Sequence, residues 1–481
     1  LKHSAKMGRL TLLWVMLALV LAACSKESEP STFNEGSEEP EVYAENGLPK
    51  HEKVKLKFAY WENGNGREWI DYAMETFTQK FPNVSFETTY SPKIGIVIQT
   101  KIAVNNDEDM FDIFSNVISN EANADVSINL AKEKKIEPLD DLWEHKLYDR
   151  DSKTLREVQS GIIDGTPTLL GKVYEIPYGQ SISGLFFNKS LFEENGWNQE
   201  PKTWTEFIAL IDHIRAANMI PITYPGKYPF YLQFALGTAQ LFGAAEIRGN
   251  LEKFNEDYRR NKLPFYMSKE SMDIYNRIYE LGKKNAFPDE VAALSHTQSQ
   301  MQLLQGQAAM AATGEWVQNE MKDSIPARFR WGFMLVPLSD NPESTKYYNL
   351  HTSSGYYIWA AKPELNKKWA KEFIVWLWNQ DVQWEIMEKA GALPIRNDIM
   401  NDEALLGNLM DASKAIVAYM KKNPVKGIGE KRSVILTDPN ADKATKLMED
   451  ALIDISAGKQ DPLPVLQEAE KLLQKAIEAQ K

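Results

Sequence analysis

The stretch from Gly171 to Ile211, GKVYEIPYGQSISGLFFNKSLFEENGWNQEPKTWTEFIALI, restricts the fold more than any other part of the chain. Gly171-Lys172 can turn the backbone, and Val173, Tyr174 and Ile176 then read as a short strand. Pro177 ends it, because proline has no amide to give to a central ladder. Leu185-Phe186-Phe187 is a continuous apolar run, as in a strand buried on both faces, and Asn188-Lys189-Ser190 behind it starts a helix that Gly196 can close. Thr203 and Glu206 stand at capping-box spacing, the hydroxyl accepting from the Glu206 amide while the carboxylate reaches back. The helix they open carries Phe207, Leu210, Ile211 and Ile214 at i, i+3, i+4 and i+7, so one stripe of it faces a core.

The same alternation runs through the earlier part of the chain. Val54, Leu56 and Phe58 lead to Trp61 and the loop WENGNG, then to a helix bearing Ile70, Ala73, Met74 and Phe77. Val84, Phe86, Thr88 and Tyr90 form the next strand, a helix through Ile94, Ile98 and Ile102 follows, and Phe111-Asp112-Ile113-Phe114 is a third strand. Strand, helix, strand, helix, strand is a doubly wound α/β pattern, whose ligands sit beyond the carboxyl ends of the strands. That rule puts Trp61, Glu62 and Ser115-Asn116 at the edge of a cleft. Trp61 reads equally well as a core tryptophan at a strand end. A length of 481 residues exceeds one ordinary core and implies two domains.

Lys2, Lys6 and Arg9 precede an apolar run from Leu10 to Ala23, too short for a spanning helix, so residues 1–23 read as a secretion signal. Either Met7 or Leu1, as a decoded alternative start, fits as the first residue. Leu21-Ala22-Ala23-Cys24 resembles the bacterial lipobox, which implies cleavage before Cys24 and a thioether-linked diacylglycerol on its sulfur. Cys24 is the only cysteine and has no intrachain disulfide partner. Residues 24–52 are rich in Glu, Ser and Pro and poor in apolar side chains, the composition of a disordered tether. The formal charge of −12 becomes −15 when the three cations of residues 1–23 are removed, a balance that repels nucleic acid.

The run from Pro177 through Asn188-Lys189 to Pro201-Lys202-Thr203-Trp204-x-Glu206-Phe207 resembles the crossing between lobes in extracellular solute-binding proteins of carbohydrate ABC importers, the maltose-binding type. The likeness continues in Gly306-Gln307-Ala308-Ala309-Met310, in Gly314-Glu315-Trp316, in Gly355-Tyr356-Tyr357-Ile358, and in Gly391-Ala392-Leu393-Pro394. It implies an α/β, two-lobed periplasmic-binding-protein-like fold, each lobe a mixed β-sheet flanked by helices, with a hinge of crossing segments. The lobes would be residues 53–177 with 355–400, and 178–354 with 401–481, crossing near Tyr178, Gly355 and Gly391 to Leu393.

The resemblance further implies an oligosaccharide held between closing lobes and delivered to an ABC permease, by a monomer anchored through lipid on the outer face of the cell membrane, with no cofactor. The ligand-binding residues would be Trp61, Glu62, Asn116, Tyr178, Tyr228, Tyr231, Trp316, Gly355 and Tyr356. The axial C–H face of a pyranose packs on an aromatic ring while its hydroxyls seek polar partners at the edge, which is the role implied for Trp316. Trp316 as plain core is the competing reading. Trp369, Trp376 and Trp378 belong to a helix with an apolar stripe and read as packing.

No metal-ligand spacing, nucleophile elbow, Walker loop or dinucleotide fingerprint is present. Asp438-Pro439-Asn440-Ala441-Asp442 lacks the glycine and distal glutamate of a calcium loop and reads as the start of a helix. A secreted glycoside hydrolase is the rival reading, for which Glu62 and Glu315 are the nearest candidates for the two carboxylates flanking the bond. A lipid-held adhesion protein is a third; it would have neither hinge nor small-molecule pocket. After Pro394 the chain reads as helical to its end, with Asp461 capping a last helix that buries Leu466, Ala469, Leu473 and Ala476.

Overall fold

Val54, Leu56 and Phe58 are buried and alternate with more exposed lysines, and the strand they form, β1 (Val54–Trp61), is the centre of the first sheet. In the computed structural model, which describes residues 41–480 except 116–125, 151, 161–165, 167, 353–354, 429–431 and 433, β1 pairs in parallel with β2 (Val84–Ser91) and β3 (Ile113–Ser115). The chain then leaves for a second sheet, made of β4 (Gln180–Asn188), β5 (Ile220–Thr223), β6 (Ala308–Gly314), β7 (Trp331–Met334) and β8 (Lys346–Thr352). It returns as β9 (Tyr356–Ile358), antiparallel to β3, and adds β10 (Val425–Ile428) to the second sheet beside β8. The orders are β2-β1-β3-β9 and β10-β8-β4-β6-β5, with β7 also on β4. Both sheets are therefore mixed, helices cover them, and the molecule is two-lobed.

Each lobe has its own core. In the first, Phe77 meets Trp369, Phe373 and Trp376 edge-on at 6.1, 5.3 and 5.7 Å, and Trp378 donates from Nε1 to the Pro177 carbonyl at 3.1 Å. The second gathers Leu185, Phe186 and Phe187 of β4 with Phe207, Leu210, Ile211 and Ile214, and reaches Leu466, Ala469 and Leu473 of the last helix. These are the stripes expected from the sequence, since a side chain at i, i+3, i+4 and i+7 can reach one neighbouring sheet. Asn188 accepts from the Ser190 amide and opens the helix Lys189–Asn195, while Asp438 and Asp461 cap Pro439–Ser456 and Pro462–Ala479.

Several local expectations are corrected. Residues 173–177 lie in no ladder: the Val173 carbonyl accepts from Leu139, and Pro177 is held by Trp378. The Thr203 hydroxyl takes the Glu206 amide at 3.1 Å, but the Glu206 carboxylate reaches one residue further back, to the Lys202 amide at 2.7 Å. The chain beyond Pro394 is not wholly helical, because β10 intervenes. Residues 41–50, assigned by composition to the tether, are folded: Tyr43 packs edge-on to Phe81 at 4.9 Å and donates to Asn83 at 2.8 Å, Leu48 is buried in the first core, and Val42 bridges Pro49. Two apolar anchors in a polar stretch suffice because the rings of Phe81 and Trp369 supply the rest of the pocket. The signal segment, Cys24 and Asn116 lie outside the described residues.

The crossings are tied together. Gln180 and Leu393 exchange backbone hydrogen bonds at 2.8 Å in both directions, and Gln383 donates to the Tyr178 carbonyl at 2.9 Å while accepting from Ile395 at 3.1 Å. Arg396, fully buried, donates to Asp149 and Asp398, each at 2.7 Å, and to the Trp378 carbonyl at 2.8 Å, so its charge is neutralised where the third crossing enters the first lobe.

Candidate functional site

The parallel strand β1 delivers Trp61-Glu62-Asn63-Gly64-Asn65 to the gap between the lobes, and β6 on the other side delivers Gly314-Glu315-Trp316. Trp61 is held by its amide, which donates to the Ser115 hydroxyl at 3.2 Å. Between the two loops lies a cavity of about 1050 Å³, lined from the first lobe by Trp61, Glu62 and Tyr178 and from the second by Tyr228, Tyr231 and Trp316. Six of the nine residues expected from the sequence thus meet in one place.

Trp316 opens a short helix and its indole lies across the Cα of Gly314, where an added Cβ would fall 2.0 Å from the ring. Glycine at 314 is what lets the ring lie there. Phe234 meets the indole edge-on at 5.8 Å, Tyr231 meets Phe234 at 4.8 Å, and Phe230 meets Tyr231 at 4.9 Å, so the second lobe presents a continuous aromatic wall. Tyr228 and Phe230, each 40% exposed, form its rim. Opposite them, Tyr178 sits on Trp69 at 4.6 Å.

Tyr356 and Gly355 take other positions. Tyr356 is buried in the first core, stacked behind Tyr178 at 5.5 Å, and touches the cavity only through that ring. Gly355 allows backbone to approach backbone rather than ligand: a Cβ there would stand 2.7 Å from the Ile176 carbonyl oxygen. Glu315 also points away, into the second lobe, where Oε2 accepts from the Ile182 amide at 3.0 Å. Glu62 and Glu315 therefore do not flank a common bond.

Burial pushes the Glu315 carboxyl up to about 7. Because an acid whose folded pKa is raised binds more protons folded than unfolded, it weakens the fold as pH rises from the ordinary carboxylate range through 7. Glu315→Gln should match wild type in melting temperature near pH 5 and exceed it by a few °C near pH 8, as thermal unfolding at the two pH values will record. Equal differences at both would mean that the carboxyl stays ionised throughout.

Polar groups that sequence reasoning missed line the same cavity. His351, which burial drives down to about 4 and keeps neutral, bonds Ser183 at 3.0 Å and faces Phe234 at 5.3 Å. Glu320 is bonded by His296 at 2.7 Å and by Gln300 at 2.8 Å; burial raises its pKa, but these hydrogen bonds outweigh it and hold the group low. Neighbouring Asn319 donates across the gap to the Gly64 carbonyl at 2.5 Å. The one signal for this wall was the cluster PFYLQF, which forms a 3-10 helix of three residues per turn, so that Tyr231 and Phe234 fall on the same side of it.

Among the described residues no helix is long and apolar enough to cross a membrane, and no group of three or more His, Cys, Asp or Glu is arranged to hold a metal. Residues 61–384 match the family model described as bacterial extracellular solute-binding protein. The diacetylchitobiose binding protein NgcE of Streptomyces coelicolor is 23% identical over 357 residues, 73% of this chain and 72% of that protein. The multiple sugar-binding protein of Streptococcus mutans is 25% identical over 168 residues, 34% of this chain and 39% of that one. Among solved structures, a chitin oligosaccharide binding protein superposes with a TM-score of 0.65 at 19% identity, covering 88% of this chain and 99% of that one. RafE in complex with raffinose gives 0.63 at 16% identity, covering 88% and 100%.

Proposed function

The chain belongs to the bacterial extracellular solute-binding protein family, and from that premise we propose that it captures an oligosaccharide between its lobes and delivers it to a membrane ABC permease. The observation that carries the sugar is the cavity itself, where Trp61 and Tyr178 of one lobe face Trp316 and Tyr231 of the other across a space bordered by carboxylate, amide and imidazole groups. Aromatic faces suit the C–H faces of sugar rings, and the polar border suits their hydroxyls. Relatives named for diacetylchitobiose, chitin oligosaccharide and raffinose support the same ligand class. Trp61, Glu62, Tyr178, Tyr228, Tyr231 and Trp316 are the proposed contacts.

The lobes are assigned to residues 53–177 with 355–400, and 178–354 with 401–481, except that Leu48 and Tyr178 pack in the core of the first and Met387, Leu393 and Ile399 in that of the second. Contacts from both sides exist together only when the gap closes, so ligand draws the protein toward the closed form; a shift from 1:99 to 99:1 takes about 5.5 kcal/mol of differential binding. The protein acts as a monomer, binds without cleaving, and is held to the outer membrane face by lipid on Cys24.

A thermal-shift screen of the soluble body against an oligosaccharide panel tests the ligand class, since a binder at about 100 times its Kd adds about 2.7 kcal/mol. The bound sugar should be recovered intact and the radius of gyration should fall on binding. Turnover to cleaved product in excess of protein would make it a hydrolase, and tight binding with unchanged scattering would remove closure. Fractionation of cells bearing Cys24→Ser tests the anchor, and equal membrane retention with normal processing would rule it out.

A further inference from the structure

Past Leu236, Gly237 and Leu241 the cavity continues away from the interlobe gap, into the second lobe between the helices Lys269–Lys283 and Pro439–Ser456. Ile274 and Met448 give this inner chamber apolar sides. Its aromatic side is a braced stack: Arg432 lies 4.0 Å over Tyr258 and 4.8 Å over Phe265, and donates to the Tyr258 carbonyl at 2.8 Å and to Asn261 at 2.5 Å. The Glu470 carboxylate fixes the adjoining loop by accepting from the Phe265 and Met267 amides at 3.1 and 3.2 Å. The guanidinium is thus committed to holding the wall.

Two polar groups in the chamber are not committed. The Tyr275 hydroxyl, whose pKa burial raises, has no hydrogen-bond partner among the described residues. The Glu449 carboxylate has no ion pair or hydrogen bond there either, its neighbour Lys446 being paired with Asp450 at 3.2 Å. Both residues are partly exposed to the cavity, so the hydroxyl and the carboxylate stand free to bond a ligand hydroxyl. One donor and one acceptor beside an aromatic wall repeat, deeper in the lobe, the chemistry of the gap. The whole cavity, about 1050 Å³, lies at the upper end of the roughly 300–1,000 Å³ of small-ligand pockets, which leaves room beyond a short sugar at Trp316.

We propose that this inner chamber is a second binding compartment that takes the distal units of an elongated oligosaccharide whose near end lies between Trp61 and Trp316. The proposal rests on the sugar reading above. Because compartment and gap are one continuous space, a linear ligand spans both, and the chamber sets preference for chain length.

The test is calorimetric titration of wild type, Tyr275→Phe and Glu449→Gln with oligomers of two to five units, in an N-acetylglucosamine series and a glucose series, after thermal unfolding has confirmed that the variants fold. Wild-type affinity should climb from two to four units, and each substitution should weaken the four-unit oligomer about tenfold while leaving the two-unit oligomer unchanged. Affinity that is flat with length in wild type, or variants that lose the two-unit oligomer equally, would overturn the chamber and leave sugar binding standing. If no member of either series binds wild type, the sugar reading falls and takes the chamber with it.

Discussion

Trp376→Ala is expected to lower the unfolding free energy by about 3–5 kcal/mol, the usual scale for removing a large aromatic from a core, without changing the affinity of the molecules that remain folded. The indole is buried among Phe77 at 5.7 Å, Phe81 at 6.1 Å and Tyr148 at 5.3 Å, and its Nε1 donates to the Thr76 hydroxyl at 3.1 Å. Alanine would leave a void lined by three rings that cannot collapse together, since each is also held by Trp369, Phe373 or Glu372. Nothing in this cluster lines the cavity. Chemical unfolding with calorimetric titration decides the matter: an unchanged unfolding midpoint would show that the helix Glu364–Trp376 docks without this ring.

Trp316→Ala should do the reverse, costing on the order of 2 kcal/mol or more in affinity, about thirtyfold, with little loss of stability. Its ring is only partly buried, and the contacts it makes, the Cα side of Gly314 and the edge of Phe234, belong to the cavity wall rather than to the packed interior. The two variants are informative as a pair. If Trp316→Ala binds sugar like wild type but melts far lower, Trp316 is core and the site has been placed on the wrong loop.

The repeating patterns were the legible part of the sequence. Phe207, Leu210, Ile211 and Ile214 mark one helix face whatever else the chain does, and Leu185-Phe186-Phe187 marks a strand covered on both sides. The parts that misled lack a period. β9 has three residues, all buried, so alternation cannot tell which of Tyr356 and Tyr357 faces outward. Glu315 and Trp316 are adjacent at the end of β6, where a step of one residue exchanges the core for the cavity. His351 and Asn349 enter the site from β8, and their membership depends on how that strand pairs with β4 over residues 180–182, a contact between segments about 170 residues apart. Loop tips and strand ends fix their side chains through tertiary contacts, which no local pattern encodes.

The return of β9 to the first sheet has a kinetic consequence. Ser115 of β3 is paired with Tyr356, 241 positions later, and at synthesis rates of about 5–20 residues per second roughly 12–48 s pass between the two. During that interval the first lobe has an open strand edge and lacks Trp369, Phe373 and Trp376 from its interior. Such high contact order makes folding slow, because the loop must close before the contacts that stabilise it can form. A protein of the extracellular family must leave the cell, and a chain that cannot complete its first sheet until Tyr356 has been made stays threadable at least that long.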